Sequence, residues 1–252
     1  MYTLSIGAIF KNEQHAIKEW IEHYLLHGVQ HFYLIDDQST DNSIALLKEY
    51  CTKGIVTLYK ATWKRYLGRQ RDMYNHYILP HVTNKETQWL YIVDLDEFLW
   101  SPRSILLTDV LAPLKHLAQI QFYQHVFGSN GHIKQPESIV KGFTKRWDEL
   151  IQTLKYMVNS DFEFTSLNVH HATHKSEDDR LNRFIRLNQS YFVLNHYMIQ
   201  SREFWEKIKC TRGDGDEYRV RKMEEFDGFD RNEVEDLRLL HQNYPEISLS
   251  PP

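Results

Sequence analysis

Cysteine is nearly absent. The 252 residues contain two, Cys51 and Cys210. That is too few for a disulfide framework or a four-thiolate zinc site, so a reducing compartment is the simpler reading. No apolar run approaches the roughly 18 residues needed to span a bilayer, which leaves at most contact with a membrane surface. The stretch from Met1 to Phe10 has no basic segment before it and is followed at once by Lys11-Asn12-Glu13. It reads as a strand rather than a signal peptide, and the cytoplasm is the expected location. Neither charge dominates: the formal net charge is -4. A nucleic-acid coat and a polybasic anchor are thereby excluded, and no nucleic-acid partner is expected. Repeats, low-complexity tracts and an evident linker are also lacking, so residues 1–252 are expected to form one domain.

What is present is a rhythm. Thr3 to Phe10 is an apolar, strand-like run, after which Ile17, Trp20 or Ile21, Tyr24 and Leu25 recur at helical spacing until Gly28. His31 to Ile35 predicts a second strand, and Ile44, Leu47 and Tyr50 share a helical face that stops at Gly54. Ile55 to Tyr59 predicts a third strand. Gln70 to Ile78 predicts a helix stopped near Pro80, and Trp89 to Val93 a fully apolar fourth strand. This alternation predicts an α/β fold with a mostly parallel central sheet. Further on, Ala118 to Phe127 and Tyr191 to Tyr197 read as strands, Ser201 to Ile208 as a helix capped by Ser201, and Asn232 to Leu240 as a last helix. The pattern of residues 133–190 gives no clear order of elements.

In a parallel sheet, ligands bind beyond the carboxyl ends of the strands. Polar clusters follow three of the predicted strands: Asn12-Glu13, Asp36-Asp37 and Asp94-Leu95-Asp96. Two carboxylates two residues apart at a strand end suit Mn²⁺ or Mg²⁺, which would bridge a diphosphate. The same spacing recurs in Asp214-Gly215-Asp216, so it is the apolar strand before Asp94 that singles out the first copy. Asp36 and Asp37 suit a base or ribose, or the cap of the next helix. Asn12 and Glu13 suit the lining of a nucleotide cleft. Arg69 and Gln70, after Gly68 at a predicted helix start, suit a phosphate. His170, His171 and His174 lack the glutamate and the partner pair that a zinc motif needs. His196, at the end of a late apolar strand, reads either as a metal ligand or as a core histidine.

Taken together, several stretches resemble the GT-A glycosyltransferases, and within them the family 92-like group. They are Phe10-Lys-Asn-Glu13, Glu19 to Tyr24, Gly28 to Tyr33, Asp36 to Asp41, Asp94-Leu-Asp-Glu-Phe98, Phe127 to His132 and Asn195 to Ser201, followed by Phe204, Lys207 and Arg212-Gly213. The family-type Lys-Ser is Gln200-Ser201 here. The resemblance implies a GT-A fold, with a nucleotide-sugar-binding half over about residues 1–100 and an acceptor-binding half over about residues 101–252. It implies a nucleoside-diphosphate sugar donor, usually uridine-linked, and Mn²⁺ or Mg²⁺ held by the Asp-x-Asp motif. It also implies inverting transfer to a hydroxyl of a glycan or glycoconjugate. A late histidine completes the metal site in some GT-A enzymes, which supports His196 beside Asp94 and Asp96. Inversion calls for a general base, for which Asp214 and Asp216 are the candidates and Glu137 a weaker one. Asn130 and His132 fall where an acceptor loop is expected. A sugar nucleotidyltransferase, the nearest rival, would show a glycine-rich basic loop where Phe10 to Glu13 has no glycine. A metal-dependent hydrolase and a non-catalytic carbohydrate-binding module are weaker rivals.

Overall fold

The computed structural model describes every residue except 214, 215, 217–219 and 249–252. In the first part of the chain, strands and helices alternate: β1 (Tyr2–Phe10), α1 (Ile17–Leu26), β2 (His31–Asp36), α2 (Ser43–Thr52) and β3 (Val56–Lys60). Next comes α3 (Arg69–Met73), which widens into a π-helical turn over Tyr74–Ile78 and narrows again to α4 (Leu79–Thr83), and then β4 (Thr87–Ile92). Gly28 stops α1 as expected, at φ 86. Pro80 does not stop the third helical segment. It sits second in α4, directly after the π-helical turn, where the regular i→i−4 ladder is already interrupted.

The remaining strands are β5 (Glu97–Trp100), β6 (Gln119–Phe127), β7 (Lys145–Asn159), β8 (Phe164–Leu167), β9 (Ala172–His174), β10 (Phe184–Leu187), β11 (Val193–His196) and β12 (Val234–Glu235). One large sheet runs in the order β3-β2-β1-β4-β7-β6-β11-β5, with β10 on β6 and β12 on β7, while β8 and β9 form a separate hairpin. The first four strands are parallel, but β7 is antiparallel to both β4 and β6, and β5 is antiparallel to β11. The sheet is therefore mixed rather than mostly parallel. The cause is β7, a 15-residue strand drawn from the stretch whose residue pattern shows no order of elements. The helix expected from Asn232 is also shorter: β12 uses Val234 and Glu235, and the helix spans Arg238–Asn243.

Alternation of side chains across β1 and β2 builds two cores. Leu4, Ile6, Ala8, Phe32 and Leu34 pack with Ile17, Trp20, Ile21 and Leu47 from α1 and α2. Tyr33 and Ile35 pack on the opposite face with Met73, Tyr74 and Ile78, and with Phe164 and Leu167 of the hairpin. Gly7 faces this second layer at close range. A Cβ there would lie 2.8 Å from Ile78 and 2.9 Å from Ile92.

Between β4 and β5 the chain leaves the parallel strands and crosses to the far edge of the sheet. Side chains of α1 hold it there. Trp20 Nε1 donates to the carbonyls of Asp94 and Glu97, each at 3.1 Å, and Tyr24 donates to Glu97 O at 2.9 Å and accepts from Leu99 N at 3.0 Å. These bonds satisfy backbone groups of an edge strand that would otherwise be orphaned. They also fix the backbone at the crossover that carries Asp94, Leu95 and Asp96.

Candidate active site

The carboxyl ends of β1, β2 and β4 open onto a cavity of about 350 Å³. Phe10, Lys11, Glu13, Asp37 and Gln70 line it from the end of β1, the loops after β1 and β2, and α3, and Asp94, Leu95 and Asp96 from the crossover after β4. His196, Met198, Trp205, Lys209, Arg212 and Arg221, all late in the chain, complete the wall.

Asp94 and Asp96 have different partners. Lys155, on β7 beside β4, is 1 % exposed, with Nζ 2.6 Å from Asp94 Oδ2 and 3.3 Å from Glu97 Oε2. Glu97 Oε2 also accepts the N–H of Asp94 at 2.9 Å. Burial works to lower the Lys155 ammonium's pKa, but Asp94 and Glu97 raise it well above its usual value. Burial pushes Glu97 upward more than Lys155 pulls it down. Asp94 is thus tied to an internal cation.

Asp96 faces the cavity between two other partners. Its Oδ1 lies 3.4 Å from His196 Nε2 and its Oδ2 lies 3.0 Å from Lys209 Nζ. Burial raises the Asp96 carboxyl, but Lys209 and then His196 outweigh it and hold the group well below the usual carboxylate range. His196 Nδ1 is 2.6 Å from Gln124 Oε1, and Gln124 on β6 is buried. An amide oxygen accepts only, so Nδ1 carries the proton and Nε2 is left to face Asp96. Burial works to lower the His196 imidazole's pKa, but Asp96 and Glu97 raise it above the usual histidine value, so Nε2 shares a proton with Asp96 Oδ1. Giving that proton up would leave a carboxylate oxygen and an imidazole nitrogen side by side, a donor set that suits a transition-metal ion. Gln124 supplies the outer hydrogen bond such a histidine usually has. Among the described residues no group of three or more His, Cys, Asp or Glu side chains is gathered as a metal site.

Residues 1–238 match the sequence pattern of glycosyltransferase family 92. The chain belongs to that family. A family 92 protein of Oryza sativa subsp. japonica is 26% identical over 214 residues, covering 82% of this chain and 35% of that protein. One of Ricinus communis is 23% identical over 214 residues, covering 82% of this chain and 37% of that protein. The chain thus spans about a third of the length of these family 92 relatives. Among solved structures, S. aureus TarS 1-349 in complex with UDP-GlcNAc aligns at a TM-score of 0.48 and 12% identity, covering 96% of this chain and 73% of that one. Mycobacterium tuberculosis glucosyl-3-phosphoglycerate synthase, in complex with Mn2+, UDP and glucosyl-3-phosphoglycerate, aligns at 0.41 and 12%, covering 99% and 81%.

Within this family 92 chain, the residues singled out by sequence fall into three groups. Asp37, Gln70, Glu13, Asp94, Asp96 and His196 line the cavity. Asn12, Asp36 and Arg69 do not line it but hold its frame; Asn12 lines a neighbouring cavity with Gln38 and Trp63. Asn12 Oδ1 accepts from Thr40 N at 2.7 Å, and Asp36 Oδ1 accepts from Ser39 N at 2.9 Å. Arg69 is fully buried and grips both oxygens of Asp37. Glu13 is likewise held by Arg212, whose guanidinium also donates to Lys11 O at 2.8 Å. The third group lies elsewhere. Asn130 Oδ1 accepts from Thr144 N and Lys145 N, and His132 Nε2 bonds Gly142 O at 2.9 Å, so both side chains brace their own loop. Asp216 accepts from the backbone N–H groups of Gly68 and Gln70. Glu137 is exposed, and Asp214 lies outside the described residues.

Sequence reasoning missed Lys155, Lys209 and Gln124. Lys155 carried a signal, a lone charge opening the apolar run Tyr156-Met157-Val158, but it is readable only once that run is known to be a strand. Gln124 and Lys209 carry none, because their meaning depends on contacts with β11 and the crossover.

Proposed function

We propose that this chain is a metal-dependent glycosyltransferase unit. It takes a nucleoside-diphosphate sugar, uridine-linked, and transfers the sugar with inversion to a hydroxyl of a glycan or glycoconjugate. The observation that carries this reading is Asp96, set in the wall of a cavity at the strand ends and flanked by His196 and Lys209. Family membership supports the reaction class, and the lining of the cavity suits each part of the donor. Asp37 and Gln70, at the β2 side, are offered to the base and ribose. Asp96 and His196 would hold Mn²⁺, with Asp94 on the same turn contacting bound water or ribose. The ion would supply Lewis-acid neutralisation of the charge on the leaving diphosphate. Asp96 and His196 orient that end of the donor, and Leu95, Met198 and Trp205 supply the apolar part of the wall.

The test is thermal. Uridine diphosphate with Mn²⁺, at about 100 times Kd, adds about 2.7 kcal/mol to the stability of a protein that binds it. For a chain of this size that is a rise of roughly 5–10 °C in Tm. Asp96→Asn should remove the Mn²⁺-dependent part of the rise. In the same variant, transfer from a panel of nucleotide-sugars should fall about 100-fold or more. A wild-type chain whose Tm does not respond to uridine diphosphate and Mn²⁺ refutes the reading and favours a carbohydrate-binding module.

A further inference from the structure

We propose that Lys209 is the cation that recognises the second phosphate of the donor, an inference that rests on the reading above. The cations of the cavity wall are not equivalent. Arg212 is spent on Glu13 and on Lys11 O. Arg65 donates to Arg212 O at 3.0 Å, so it braces the same segment. Arg221 lies 3.8 Å from Glu225 Oε1, and Lys11 lines the cavity just past the end of β1. Lys155, which does not line the cavity, is buried against Asp94 and Glu97. Lys209 lines the cavity with its ammonium 3.0 Å from Asp96 Oδ2. An ammonium has three N–H donors, and that bond uses one of them.

Its position along the cavity follows from the sheet. The strand ends that carry Asp37, Phe10 and Asp94 succeed one another in the order β2, β1, β4, and the end of β11 with His196 lies farther along. A nucleotide whose base lies at Asp37 and Gln70 extends its phosphates toward Asp96. The first phosphate passes Asp94, whose charge is already matched by Lys155. The second reaches Asp96, where Lys209 approaches one carboxylate oxygen and His196 the other.

Lys209 is also held firmly. It ends a π-helical turn, Trp205–Lys209, that continues the helix Arg202–Phe204. Trp205 is fully buried in this turn and donates from Nε1 to Lys222 O at 3.0 Å. Lys209 O accepts from Arg221 N at 3.0 Å. An anchored ammonium loses little freedom on meeting a phosphate, and the contact is a charge-assisted hydrogen bond.

Uridine, uridine monophosphate and uridine diphosphate, titrated calorimetrically with Mn²⁺ in excess, test the assignment. Wild type should prefer the diphosphate. Lys209→Met should weaken the diphosphate about 10-fold or more and the monophosphate less, and leave uridine unchanged. Lys209→Arg, which keeps the charge, should retain most of the preference, and circular dichroism of both variants checks the fold. If Lys209→Met weakens all three ligands alike, or none, the lysine only supports its segment and the proposal is overturned. If wild type does not prefer the diphosphate to uridine, the donor reading itself has failed, a result seen without any variant.

Discussion

The parallel strands β1 to β4 and the strands that follow them treat their charged residues differently. In the parallel part, the charges near the strand ends pair locally in space and close on themselves. Arg69 grips Asp37, Asn12 ties the loop after β1 to the loop after β2, and Asp36 caps its own turn. These bonds make a stiff floor. In the later part, charges reach across the sheet to the floor. Lys155 comes from β7 to Asp94, His196 from β11 and Lys209 from the helical segment to Asp96, and Arg212 to Glu13. One part builds the cavity's frame, and the other sets its charge. Neither half alone holds the site.

The strongest way to break this division is at Lys155. Lys155→Met removes the cation and leaves Glu97, which is fully buried, with Asp94 as a like-charged neighbour. Breaking a buried pair from one side typically costs 3–5 kcal/mol. Asp94 is about a third exposed and can turn to water, so the lower figure, about 3 kcal/mol, is expected. That is a fall of roughly 6–12 °C in Tm, read by calorimetry. A loss under about 1 kcal/mol would show that packing joins the two parts without help from charge.

A subtler way to sharpen the comparison is at Asp37, which belongs to the frame and lines the cavity at once. Asp37→Ala removes the carboxylate that Arg69 grips, with a cost of about 3 kcal/mol from the buried guanidinium left behind. If Asp37 also touches the donor, KM for the nucleotide-sugar rises while kcat changes little, the mark of uniform binding lost. Pairing the change with Arg69→Met separates the two roles. The double variant should recover stability but keep the raised KM. Recovery of both would place Asp37 in the frame only.

The same contrast explains what the sequence could and could not reveal. β1 to β4 and the first two helices were legible because each is a contiguous apolar pattern joined by a short loop, and parallel pairing follows from the alternation. Asp94 and Asp96 were legible because a fully apolar strand precedes them. The later part was not, because its pairings are long-range. β7 joins β4 and β6 across tens of residues, and its outer half, from Lys145 to Thr153, is largely exposed and polar, so no periodicity marks it. Lys155 and Gln124 look like ordinary polar residues until β4, β7, β6 and β11 lie side by side. Conversely, the Asn130 and His132 segment has turn-like letters and a family-like pattern, but its polar atoms are used within its own loop.

The smallest effect expected concerns acid. His23 and His27 on α1 are joined through Asn243 of the last helices, which donates to His23 Nδ1 at 3.0 Å and meets His27 Nε2 at 2.9 Å. The other ring nitrogens bond the carbonyls of Leu99 and Ile105, each at 2.9 Å. Burial lowers both pKa values, for His23 well below the usual histidine value, and the neighbouring His27 lowers His23 further. At His27 the two oxygen acceptors, Asn243 Oδ1 and Ile105 O, oppose burial, so His23 carries the acid sensitivity. A histidine whose folded pKa is depressed binds its proton more readily when unfolded. Its contribution to stability is therefore complete above the unfolded value of about 6.5 and is lost as pH falls from there toward the folded value. Tm should decline between about pH 7 and about pH 5, and the decline should be shallower in the His23→Gln variant, because an acid-sensitive group is gone. Other buried histidines, such as His125, whose pKa is pushed down to about 4, keep part of the slope in that variant. An unchanged slope would mean that the His23 ring takes up a proton without disturbing the contact between α1 and the C-terminal helices, so that this junction is held by packing rather than by the neutral imidazole of His23.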